Sequence, residues 1–130
     1  MDELAQVQGV GTRNQNTNPQ NKIMKQTLKF EVELDENHLP TNIKMDASDG
    51  AANENNIKAL MVSAWAAKTK ETLRIDLWTK DMPVNEMFIM YHQTMMGMAG
   101  SLEKATGHDK LAGALRDYCE FFAEQTKIKG

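Results

Sequence analysis

The alternation of apolar and polar positions divides the chain into a strand-forming half and a helix-forming half that meet near Asp81. Leu28, Phe30, Val32 and Leu34 alternate with Lys29, Glu31 and Glu33, which predicts a strand over Thr27–Leu34 with one buried face. DENHLP reads as a loop closed by Pro40, which has no N–H to give a ladder. Ile43, Met45 and Ala47 predict a second strand, and the turn-forming run SDGAANENN then breaks the pattern. A third strand is expected over Lys58–Ala67. A fourth is expected from Glu71, where Leu73, Ile75 and Leu77 alternate with Thr72, Arg74, Asp76 and Trp78.

KALMVSAWAAK is also rich in helix formers, so its partner strand has to decide between the two states. A symmetric turn through Lys68, Thr69, Lys70 and Glu71 sets Ala66, Ala64 and Val62 opposite Leu73, Ile75 and Leu77, one wholly apolar face. The same register sets Trp65 opposite Arg74, Ser63 opposite Asp76 and Met61 opposite Trp78, all favourable cross-strand pairs. The hairpin is therefore the reading adopted.

Beyond Asp81 the period changes. Pro83 suits a first helical turn because its missing N–H has no partner to lose there, and Glu86 puts a carboxylate near the positive end. Val84, Met87, Phe88, Tyr91, Met95, Met98, Leu102 and Ala105 keep helical spacing, and Gly107 ends the helix as a left-handed cap. Asp109 is placed to cap a second helix with Leu111, Ala112, Leu115, Tyr118, Cys119 and Phe122 on its apolar side. The expected fold is α+β: a four-stranded antiparallel meander with two C-terminal helices packed on one face. Residues 1–25 are rich in Asn, Gln, Thr and Gly and are expected to form a disordered extension, with a docking peptide as the functional alternative. Residues 26–130 then make a single domain.

At 130 residues the chain suffices for one buried core, and its net charge of −3 argues against a nucleic-acid partner. No apolar run is long enough to span a bilayer. MDELAQVQGV has no apolar core of a secretory signal, and a single cysteine, Cys119, suits a reducing compartment. The cytoplasm is the expected location.

The search for chemistry returns little. MYHQTMMGM could hold Cu(I) through thioethers and an imidazole, but a methionine stripe at helical spacing is usually core. Cys119 and His92 can be drawn as a nucleophile and base, with Asp117 or Glu120 orienting the imidazole. Cys119 lies on an apolar stripe, however, where a thiol is usually inert packing. No catalytic, metal or cofactor residues are assigned, and no cofactor is expected. The outer face of the hairpin is the better candidate: Met61, Trp65, Arg74, Asp76 and Trp78 share it, and exposed aromatics with arginine mark protein contacts. A protein partner, or a homodimer packing sheet on sheet, would cover that face.

FEVELDENHLP, TLRIDLWTKDMPVNEM, YHQT, MAGSLEKATG and LRDYCEFFAE, in this order between Phe30 and Ala123, resemble the characteristic segments of the GldC family of gliding motility proteins. LRIDLWTKDMPV followed by an acid and Met is the most specific of them. The resemblance implies a small cytoplasmic accessory of the gliding apparatus, and it carries no catalytic residues. The expected function is that of a non-enzymatic protein-interaction accessory of bacterial gliding or of the associated export machinery. The alternative is a holdase-like export chaperone that binds unfolded clients through a Met- and Trp-rich surface. Strands followed by two helices is an order that secretion chaperones share.

Overall fold

The computed structural model describes residues 23–50 and 53–128, so most of the expected N-terminal extension lies outside the described residues. The fold is α+β, with antiparallel sheets followed by two helices. The elements are β1 (Leu28–Leu34), β2 (Pro40–Ala47), β3 (Glu54–Ile57), β4 (Ala59–Ala66), β5 (Glu71–Trp78), α1 (Val84–Thr106) and α2 (Asp109–Thr126). They fall into two compact units, one ending at Asp81 and the other beginning at Met82.

The strands do not form the expected single four-stranded meander. They form a three-stranded sheet in the order β1-β2-β3 and a separate two-stranded sheet, β4-β5. The cause lies in the turn-like run after Ala47. Its last three residues, with Ile57 after them, make β3 (ENNI), which pairs with β2 through Ile43 opposite Ile57. Asparagine side chains support this short ladder where apolar alternation is missing. Asn53 Oδ1 accepts the Ala47 N–H at 3.0 Å, and Asn42 Nδ2 donates to the Asn55 carbonyl at 2.8 Å. Lys58 separates β3 from β4, and from Ala59 the chain pairs with β5 instead.

In β1, Leu28, Phe30 and Val32 are half-buried and their polar neighbours exposed, as the alternation predicts. Leu34 departs from it and is exposed, because the ladder shifts between Glu33 and Leu34. An irregularity of that kind re-aims the side chain that follows it. The Asp35 carboxylate then closes the β1–β2 turn by accepting the N–H groups of Asn37 at 2.8 Å and Leu39 at 3.0 Å. Ile43 and Ala47 on β2 are buried and anchor the small core of this unit. The end of β5 is tied back to the same turn. Lys80 donates its N–H to the Pro40 carbonyl at 2.9 Å, and its ammonium meets Asp35 at 2.8 Å.

In the helical unit, Pro83 stands at the N-cap of α1 in extended conformation, without a side-chain cap bond. Gly107 closes α1 at φ 71°, giving its N–H to the Glu103 carbonyl at 2.8 Å. The cap of α2 is His108 rather than the expected Asp109: His108 Nδ1 accepts the Leu111 N–H at 3.3 Å, and Asp109 becomes the first helical residue. Ala99, Ala112 and Cys119 are the buried side chains of the pair. Phe122 stands at the aromatic centre, 6.0 Å from Phe88 edge to face, with Tyr118 at 6.3 Å and Tyr91 at 6.5 Å. Arg116 bridges to Glu103 at 2.8 Å across the two helices. The apolar stripe of α1 is narrower than the spacing suggested. Met87, Phe88, Met95 and Leu102 are half-buried, whereas Val84, Tyr91, Met98 and Ala105, every seventh residue, are exposed.

Candidate functional site

The β4–β5 hairpin is a regular ladder whose register is offset by two residues from the symmetric expectation. Ala66 pairs with Glu71, Trp65 with Thr72, Ala64 with Leu73, Ser63 with Arg74, Val62 with Ile75 and Met61 with Asp76. The connection is Ala67–Lys70, closed by the Lys70 N–H on the Ala66 carbonyl at 2.8 Å, with Lys70 left-handed at φ 59°. That turn fixes the pairing. An offset of two leaves every side chain on the face it had, because strand faces alternate with period two. Met61, Trp65, Arg74, Asp76 and Trp78 therefore do share one face.

The tryptophans do not cluster on it. Trp78 lies opposite Ala59, six residues from Trp65 along β4, so the two rings sit near opposite ends of the hairpin, about 20 Å apart. Trp65 is 66% exposed, while Trp78 is half-buried. Between them, the Arg74 guanidinium donates to Ser63 Oγ and to Asp76 Oδ1, the latter at 2.7 Å. Arg74 is thus held by a neighbour on each strand, Ser63 across the ladder and Asp76 along β5.

The opposite face carries what the sequence reading missed. Leu73 and Ile75, assigned to the buried core with Leu77, are 60% and 55% exposed, with Ala64 exposed beside them. Leu60, Val62 and Leu77 continue the row half-buried. A period of two says that a strand has two faces; it does not say which of them is covered. The available signal was that β5 carries large side chains on both faces.

The candidate chemistry is placed as follows. His92 and Cys119 both line a shallow groove of about 440 Å³, together with Met96, Arg116 and Glu120. Burial pushes the Cys119 thiol up, away from the thiolate that a nucleophile requires. In MYHQTMMGM, Met90 and Met95 are half-buried while Met96 and Met98 are exposed. Among the described residues no three His, Cys, Asp or Glu side chains are grouped to hold a metal ion. No described helix is long and apolar enough to cross a membrane.

The family model described as gliding motility-associated protein GldC-like matches residues 40–128. The chain belongs to the GldC-like family. The match begins at the first residue of β2 and runs past the end of α2, so the GldC-like portion holds the whole β4–β5 hairpin and both helices. β1, which carries the FEVEL of FEVELDENHLP, precedes it. Comparison with curated proteins gives no significant match, and neither does comparison with solved structures.

Proposed function

We propose that this GldC-like chain is a non-enzymatic, cytoplasmic accessory of gliding motility that acts by docking a protein partner on its β4–β5 hairpin. The observation that carries this reading is the exposure of large apolar side chains on both faces of a two-stranded sheet: Trp65 on one, Leu73 and Ile75 on the other. A lone hairpin in water is marginal, and its stability improves when a further surface covers it. Arg74 and Asp76 add a charged pair beside the aromatic anchor, the composition that contact hot spots favour. The raised pKa of the Cys119 thiol favours an adaptor over a cysteine-based catalyst.

The open apolar row also supports a second reading, a holdase that takes unfolded clients on the same hairpin. The two separate by specificity. An adaptor retains one or two partners from native lysate, and Trp65→Ser and Leu73→Ser each release them; a holdase suppresses aggregation of several unrelated clients. Cells lacking the gene should spread poorly and recover with the wild-type chain but not with the Leu73→Ser variant. Normal spreading without the gene would remove the motility role.

A further inference from the structure

The open edge of β5 is self-complementary. Among the described residues β5 forms a ladder with β4 alone. Thr72 through Asp76 are all exposed, and the same edge is taken only farther on, where the Lys80 N–H meets the Pro40 carbonyl. β5 contains no proline, and its ladder has no bulge, so it lacks two of the devices that blunt an edge strand. Thr79 gives its N–H to the Lys58 carbonyl at 2.8 Å, one step beyond the last ladder pair, Ala59 opposite Trp78. Hydrogen-bonding direction alternates along an antiparallel ladder, so Leu73, Ile75 and Leu77 aim their N–H and C=O groups at β4. Arg74 and Asp76 aim theirs at the open edge.

A second β5 docking there must present its own outward groups, so even-numbered residues face even and odd face odd. Few registers remain. A twofold axis at Arg74 sets the two guanidiniums against each other, and an axis at Asp76 sets the two carboxylates against each other. An axis at Leu73 opposes Glu71 to Ile75 and leaves Arg74 facing Thr72. With the axis at Ile75, Arg74 of each copy faces Asp76 of the other, Leu73 faces Leu77, and Ile75 faces itself. No like charges then stand directly opposite, and each of these pairs is one that stabilises antiparallel strands.

We propose that two copies of this chain pair antiparallel along β5 about a twofold axis at Ile75, forming a continuous β4-β5-β5-β4 sheet. The inference rests on reading the hairpin as an interaction surface, and it names one occupant of its edge. The pairing turns two marginal hairpins into one four-stranded sheet and joins the two Leu73–Ile75–Leu77 rows into a single apolar strip.

Charge exchange in the full chain tests the pairing. Arg74→Asp puts carboxylates opposite carboxylates and Asp76→Arg puts guanidiniums opposite guanidiniums, so each variant alone should self-associate about tenfold more weakly or worse in sedimentation. An equimolar mixture should recover the dimer, as should the doubly exchanged chain, because in both every pair is again of opposite sign. Ile75→Cys should cross-link to its own copy on mild oxidation, since residues facing across a non-hydrogen-bonded pair lie about 4.5 Å apart at Cα, within disulfide reach. Leu73→Cys should not, its copies standing about 14 Å apart in this register. A wild-type chain that stays monomeric up to its solubility limit overturns the proposal, as does a dimer that both single exchanges leave intact. Cross-linking through Leu73→Cys and not Ile75→Cys overturns the register. A monomer that still holds a partner sensitive to Trp65→Ser would sink the dimer and leave the docking function standing. A dimer in which partner retention ignores both Trp65→Ser and Leu73→Ser would do the opposite.

Discussion

Cys119 illustrates how much a single residue's environment changes its chemistry. It is fully buried on α2, and desolvation raises its thiol pKa. Thiol reagents should label it in the native protein at least about tenfold more slowly than in denaturant; equal rates would mean that this side of α2 is open. Asp35 is the converse case. The ammonium of Lys80, then the N–H groups of Leu39 and Asn37, hold its carboxyl below the ordinary value of 3.8, against the opposing effect of desolvation. A depressed carboxyl pKa contributes stability that is present above the unfolded value and is lost as pH falls through the folded one. Asp35→Asn should therefore melt below wild type at neutral pH, and the two melting curves should converge as pH drops below about 3.8. Parallel curves across that range would show that the turn does not depend on the charge.

At the scale of elements, the junction between α1 and α2 is set by backbone geometry more than by contact. A Cβ added at Gly107 would meet nothing within 4 Å, yet its φ is 71°. Gly107→Ala should then cost about 1 kcal/mol, all of it from the left-handed conformation, as read in a urea melt. A variant as stable as wild type would mean that the cap can unwind at no cost. This glycine and the acid of the first turn of α1 were legible in the sequence because capping is local chemistry. The cap of α2 was not. His108 and Asp109 both offer an acceptor to the first turn, and only the observed path of the chain after Gly107 selects the imidazole. β3 escaped for a related reason, since ENNI has no apolar alternation and its ladder is supported by bonds from Asn42 and Asn53.

For the molecule as a whole, the two tryptophans of the hairpin now separate in their expected behaviour. Trp65 is largely exposed, so Trp65→Ser should change unfolding free energy by no more than about 0.5 kcal/mol while weakening partner binding. Trp78 is half-buried beside the end of the ladder, and Trp78→Ser should cost more, about 1–2 kcal/mol. Equal losses from both, measured in parallel melts, would mean that the Trp65 ring is covered in solution. By itself the sequence determined the order of most elements, the glycine cap of α1 and the side of the hairpin strands on which a residue stands. It could do so because a period of two or of 3.6 is a property of neighbouring residues, and because an even offset in pairing leaves strand faces unchanged. The tertiary structure alone decided which ladder each strand joins, the register of the hairpin and the exposure of Leu73 and Ile75. Those outcomes depend on what lies across the ladder and above the sheet, and no local period carries that information.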